Sequence, residues 1–84
     1  MPEFPDPKSQ QMAAFHSDQA AYYDLCAEGH RALGETEAAA RHREAAKAHT
    51  MAAAAPMEPK LGGAAMQAGG IADAASQRAI RDRR

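Results

Sequence analysis

Four side chains in the middle of the sequence could bind a metal ion if two helices brought them together. Cys26 and His30 are four residues apart, which places them on one face of a helix, and His42 and His49 are seven apart on a second helix. Antiparallel packing would give one thiolate and three imidazoles, a tetrahedral ligand set that suits zinc. No compact CxxC or HxxxH pair accompanies them. We therefore expect surface histidines, a half-buried thiol and no metal or other cofactor, with zinc binding kept as an alternative.

Cys26 beside a histidine is the one nucleophile–base combination that the sequence offers for catalysis. No glycine-rich elbow surrounds it. The glycine pairs at 62–63 and 69–70 are not followed by the lysine and hydroxyl residues of a phosphate-binding loop. Such pairs more often mark flexible points or close helix contacts. The sequence therefore predicts a protein that is not an enzyme.

Four arginines close the sequence: Arg78, Arg81, Arg83 and Arg84. They could contact phosphates, but no aromatic residues alternate with them and the whole chain has a formal net charge of -1. Docking onto an acidic protein surface, or simple solvation, explains them better. Nucleic-acid binding stays an alternative, and Arg81, Arg83 and Arg84 are candidate protein-binding residues.

The apolar residues of the chain are mostly small. Of the 84 residues, 23 are alanine, and Leu, Ile, Val and Phe together contribute seven. Alanine favours helix but buries little apolar area. We therefore expect a very helical chain with a thin core, marginally stable alone and completed by self-association or by a larger partner.

The targeting signals that the sequence lacks suggest where the protein works. Cys26 is the single cysteine, so no disulfide forms within the chain. The first eleven residues have no basic region followed by an apolar run, as a secretory signal would. The most apolar stretch, residues 61–75, is too short and too polar to cross a membrane. The expected location is the cytoplasm or a soluble macromolecular assembly.

The order of helix starts and stops predicts an all-α fold. An extended arm over residues 1–6 precedes an antiparallel helical hairpin over 7–55, which begins at Asp6-Pro7 and turns at Leu33-Gly34. Pro56 ends the second helix. A linker over 56–63 leads to a looser, glycine-interrupted third helix over 64–84. Whether the 69–70 glycine pair kinks that helix is left open.

Three stripes of side chains suggest the helix faces that pack or bind. The second helix presents almost only alanine, which cannot cover the bulky residues of the first. Met12, Phe15, Tyr22 and Tyr23 are therefore candidate protein-binding residues. The stripe of the first helix is Met12, Phe15, Gln19, Tyr22, Cys26, Gly29 and Leu33, flanked by Tyr23 and Leu25; that of the second is Ala38, Ala39, Ala45, Ala46, Ala52 and Ala53; that of the third is Ala64, Ala68, Ala72, Ser76 and Ile80.

Residues 22–50 resemble a single, degenerate tetratricopeptide repeat. Arg43 stands where the family has an aromatic residue that packs the two helices together. The resemblance implies a helical hairpin that binds protein, although such repeats normally occur in sets of three or more. The matching positions are Tyr23, Ala27, His30, Leu33-Gly34, Ala39 and Ala46.

The expected function is that of a non-enzymatic module for helical protein–protein interaction. The first version is a small structural subunit of a larger assembly, such as a phage particle or another multiprotein complex. A second is a small regulatory or inhibitory protein that binds one target protein. A third is a metal- or nucleic-acid-binding protein.

Overall fold

The computed structural model describes residues 6–83, and three α-helices are the only regular secondary structure within them. They are α1 (Pro7–Ala32), α2 (Thr36–Ala54) and α3 (Pro59–Asp82). The predicted all-α class is confirmed. Most of the expected N-terminal arm, and Arg84, lie outside the described residues.

Local sequence signals account for both ends of α1. Pro7 occupies the first helical position and Asp6 precedes it in an extended conformation, although the Asp6 side chain makes no capping hydrogen bond. At the other end Gly34 has a positive φ of 75°. The Gly34 N–H donates to the Arg31 carbonyl at 3.0 Å and the Glu35 N–H to the His30 carbonyl at 2.9 Å. This is a Schellman motif, and it makes the predicted turn.

The second helix has nearly the predicted bounds and the predicted small face. It ends at Ala54, two residues before Pro56, because proline supplies no N–H and excludes the preceding residue from helical geometry. Ala53 is only half-buried, whereas the other alanines of the predicted stripe are buried. Two histidines that the stripe omitted, His42 and His49, share this buried face.

The third helix begins five residues earlier than predicted. Pro59 occupies its first turn, and the Glu58 side chain accepts a hydrogen bond of 3.5 Å from the Lys60 N–H. The expected linker over 56–63 is therefore too long, since α2 and α3 are joined by residues 55–58. Both glycine pairs lie inside α3, which is assigned as helix from Pro59 to Asp82 without a break.

Successive helices run antiparallel, and α2 packs against both α1 and α3. Residues at seven-residue spacing form three successive levels of the bundle, each with one residue from α1, one from α3 and one from α2 or the position just before it. The first level holds His16, His49 and Gly62; the second holds Tyr23, His42 and Gly69; the third holds His30, Glu35 and Ser76.

The faces that pack differ from the predicted stripes of α1 and α3. On α1 the buried residues are shifted by one position, so that Phe15, Tyr22 and Leu33 of the predicted stripe are exposed. On α3 only Ala72 of the predicted stripe is buried. The physical reason is that the large rings of α1 need space, which the glycines of α3 provide. The buried residues are His16, Ala20, Tyr23, Ala27 and His30 on α1, and Ala65, Gly69, Ala72 and Ala75 on α3.

Candidate functional site

Five aromatic rings lie in contact along the centre of the bundle, and we call them the ring column. From one end to the other the centroid separations are 5.0 Å for His16–His49, 5.6 Å for His49–Tyr23, 5.6 Å for Tyr23–His42 and 4.8 Å for His42–His30. Tyr23 and His49 are stacked with 11° between their planes. No ring residue is more than 6% exposed. The largest side chains of the core are therefore titratable.

His16 and His49 share one proton at the first end of the ring column. Their Nδ1 atoms are 2.8 Å apart, so one must donate and the other accept. The Nε2 atom of His16 is buried and has no hydrogen-bond partner among residues 6–83. We assign the donor to His16 Nδ1, because the opposite choice would bury an unpaired N–H at His16 Nε2. His49 then carries its own proton on Nε2.

Burial and its neighbour favour the neutral form of His49. Its pKa is lowered, first by desolvation and second by the charge that His16 would carry. Phe15 covers this end of the ring column, with its ring centroid 5.2 Å from that of His16 and 6.1 Å from that of His49. The first end therefore presents apolar and uncharged surroundings to both imidazoles.

The middle of the ring column fits closely against α3. A Cβ atom built on Gly69 would lie 2.7 Å from the Tyr23 hydroxyl oxygen, so only glycine leaves room for this ring. The Tyr23 hydroxyl donates a long hydrogen bond of 3.3 Å to Asp73. Burial, and then the Asp73 charge, raise the pKa of Tyr23 to about 12. His42 lies beside it and donates from Nδ1 to the Ala38 carbonyl at 2.7 Å.

The second end of the ring column is charged. His30 Nδ1 lies 2.7 Å from a Glu35 carboxylate oxygen and His30 Nε2 lies 3.0 Å from the Ser76 hydroxyl. Arg83 donates two hydrogen bonds to Glu35, at 2.8 and 2.9 Å. Hydrogen bonds from Arg83 and then from His30 lower the pKa of Glu35 to about 2. A proton on His30 would therefore face a carboxylate and a hydroxyl, both of which can accept.

The expectation that the histidines lie at the surface is wrong. All four are buried, whereas Cys26 is half-buried and does not join them. Within residues 6–83 no group of three or more His, Cys, Asp or Glu side chains could hold a metal ion. The available signal was the spacing of seven residues between His16, Tyr23 and His30. This signal is easily missed, because histidine is not counted as apolar when a sequence is searched for helical periodicity.

Five of the nine exposed large apolar side chains among the described residues lie along the open side of the bundle between α1 and α3. On α1, Phe15, Tyr22 and Leu33 share one face and are 39%, 54% and 62% exposed. On α3, Met66 and Ile80 are exposed and lie seven residues before and after Asp73. Asp73 lies close to Tyr22 of α1, because its charge raises the pKa of Tyr22, after the larger effect of Cys26. We call this surface the α1/α3 seam; it consists of Phe15, Tyr22, Leu33, Met66 and Ile80.

The candidate protein-binding residues on the first helix do not all belong to this surface. Phe15 and Tyr22 are exposed on it, and Met12 is half-buried. Tyr23 is only 5% exposed. The prediction that Tyr23 binds a partner is therefore corrected: its ring fills the core opposite Gly69 and cannot contact another protein while the bundle is closed.

Two of the arginines near the end of the chain are engaged within the bundle. Arg83 binds Glu35, and Arg78 forms an ion pair of 2.9 Å with Glu37. Both arginines line a cleft of about 520 Å³ between the start of α2 and the end of α3. Because carboxylates already pair with them, an incoming anion would have to displace those partners. Arg81 is exposed, and Arg84 lies outside the described residues.

Comparisons with known proteins found no match to this chain. No protein-family model matches the chain, and neither the curated proteins nor the solved structures contain a match. Among residues 6–83, no helix combines the length and apolar character needed to span a membrane.

Proposed function

We propose that this protein is a non-enzymatic module that binds other protein chains through the α1/α3 seam. The observation that carries the proposal is the exposure of five large apolar side chains along one side of an 84-residue chain. Contiguous exposed apolar surface on a small domain usually marks an interface, and aromatic residues are the usual anchors. The seam has two aromatic anchors, Phe15 and Tyr22.

The hydrogen-bond chain at the second end of the ring column has the order of a serine hydrolase triad. Ser76, His30 and Glu35 are linked as nucleophile, base and orienting carboxylate would be. However, Ser76 lies in the interior of α3, where backbone N–H groups are used by the helix and leave no oxyanion donors. Glu35 is also bound twice by Arg83. These features support a structural role for the chain of hydrogen bonds.

The first specific version is a small structural subunit of a larger assembly, such as a phage particle or another multiprotein complex. The thin core supports it, because the seam would complete that core by association. The alternative is a regulator or inhibitor that binds one target protein. The resemblance of residues 22–50 to a tetratricopeptide repeat is compatible with both versions and remains a proposal.

Sedimentation of the purified full chain over a wide concentration range tests the proposal. A structural subunit self-associates, and Phe15→Ala or Tyr22→Ala should each weaken that association by about 2 kcal/mol or more. Leu25→Ala is the matched control, because Leu25 is 74% exposed on another face of α1. A single-target regulator would instead sediment as a folded monomer.

Two results would contradict the role of the α1/α3 seam. One is that Leu25→Ala weakens association as much as the two aromatic substitutions. The other is that Phe15→Ala associates like the wild type while replacing Arg83 and Arg84 together abolishes association. We expect that arginine pair to have a smaller effect that declines with salt.

A further inference from the structure

The contact between His16 and His49 depends on how many protons the pair holds. With two N–H groups, one on each imidazole, the hydrogen bond of 2.8 Å between the Nδ1 atoms forms. A further proton on His49 Nδ1 would set two donors against each other. A further proton on His16 Nε2 would bury a charged N–H that has no acceptor in the described part of the chain.

The ring contacts that the pair makes within residues 6–83 are with uncharged groups. From α1, Phe15 and Tyr23 face the pair, and Tyr23 is kept neutral by its raised pKa. From α3, Gly62 faces it with the position of a Cβ only 3.9 Å from His16 Nε2. The ring of Tyr23 lies between the pair and two further titratable groups, His42 beside the ring and Asp73 at its hydroxyl. Glu35 and Arg83 lie at the opposite end of the ring column.

We propose that the His16–His49 pair is an acid-sensitive switch, which holds this end of the bundle closed when both imidazoles are neutral and opens it as pH falls below about 6.5. Below that pH the unfolded chain takes up protons that the closed pair cannot accept without losing its hydrogen bond or burying an N–H that lacks an acceptor among the described residues. Stability is therefore lost as pH falls. The lowered pKa of His49 has the same sign.

Little apolar packing opposes the opening of this end. The buried neighbours on the adjoining turns of α2 and α3 are Ala52 and Ala65, each of which contributes only a methyl group. Phe15 rests on both imidazoles, so that separation of the two rings would also release its side chain. The inference is independent of the proposed function, because it concerns the core and not what binds the seam.

Urea unfolding of the full chain at pH 7 and pH 5 tests the switch. A histidine that stays neutral in the fold, with an ordinary pKa of about 6.5 when unfolded, raises the unfolding constant about 25-fold over this interval. The combined variant His16→Leu and His49→Leu should lose most of this dependence. His30→Gln, at the other end of the ring column, should keep it.

Three results would overturn the proposal. The wild type could change less than threefold between the two pH values, the double leucine variant could keep the full dependence, or His30→Gln could abolish it. If the double variant does not fold, imidazole resonances of the folded wild type decide the question by nuclear magnetic resonance. His16 and His49 should titrate below about pH 6.5 and at the same pH as a change in the Phe15 ring resonances, and titration of both near about pH 6.5 without that change would refute the switch.

Discussion

Histidine is buried at both ends of the ring column, but its hydrogen-bond partners differ between the two ends. At the first end, His16 and His49 share a proton with each other, and His16 Nε2 has no hydrogen-bond partner within the residues that the structure describes. At the second end, both nitrogens of His30 face groups that can accept, Glu35 and Ser76. A charged imidazole is therefore destabilised at the first end, whereas at the second end a carboxylate and a hydroxyl can accept its hydrogen bonds. Burial alone does not decide how a histidine behaves, because its hydrogen-bond partners set the sign.

The two ends therefore affect the stability of the fold over different ranges of pH. The first end loses stability as pH falls below about 6.5, where the histidines of the unfolded chain begin to bind protons that the closed His16–His49 pair does not accept. The second end relies on the Glu35 carboxylate, whose pKa is lowered from 4.5 to about 2. A lowered pKa stabilises the fold above the unfolded value, and this contribution is lost as pH falls from 4.5 to about 2.

Tyr23→Ala should have the largest effect, because Tyr23 is the ring that joins the two ends. Removing it takes away the stacking on His49 and the contact with His42 and leaves a cavity beside Gly69. We expect the free energy of unfolding to fall by about 3–5 kcal/mol, which is close to the whole stability of a small domain. The measurement is urea unfolding followed by circular dichroism. Tyr23→Phe, which removes only the long hydrogen bond to Asp73, should cost about 1 kcal/mol.

Gly69→Ala and Gly70→Ala form a matched pair that tests whether the middle of the ring column fixes the position of α3. A methyl group at 69 would meet the Tyr23 ring, whereas one at 70 meets nothing within 4 Å. Gly70→Ala should stabilise the helix by up to about 1 kcal/mol. Gly69→Ala should destabilise the fold by about 1–2 kcal/mol, because overpacking exceeds the helix gain. Equal melting temperatures for the two variants would mean that Tyr23 moves aside freely.

Glu35→Gln tests the second end alone and should have the smallest effect. The amide cannot pair electrostatically with Arg83 or His30, so the variant should be less stable at pH 7. It should also lack the part of the acid loss that falls between pH 4.5 and 2, while it keeps the loss below pH 6.5. Urea midpoints at pH 7, 5 and 3 separate these ranges. If the variant lost its response between pH 7 and 5, the two ends would not titrate independently.

Local signals in the sequence predicted the backbone well, and the core less well. Gly34 and Pro56 mark the turn and the end of α2 because their effects act within a few residues. Gly69 also sits where it must, but its reason lies on another helix, in the ring of Tyr23. From the sequence alone it reads as a possible break. The histidines were misjudged for the same reason, since their burial depends on partners 33 and 46 residues away in the sequence.

A core made of imidazole rings and alanine methyl groups also affects how stability changes with temperature. Exposure of apolar surface raises the heat capacity on unfolding, and exposure of polar surface lowers it. The imidazoles of the ring column add polar surface where a leucine core would add apolar surface. The heat-capacity increment should therefore be low for 84 residues. The curve of stability against temperature should be correspondingly flat, with slow loss on warming and little weakening in the cold.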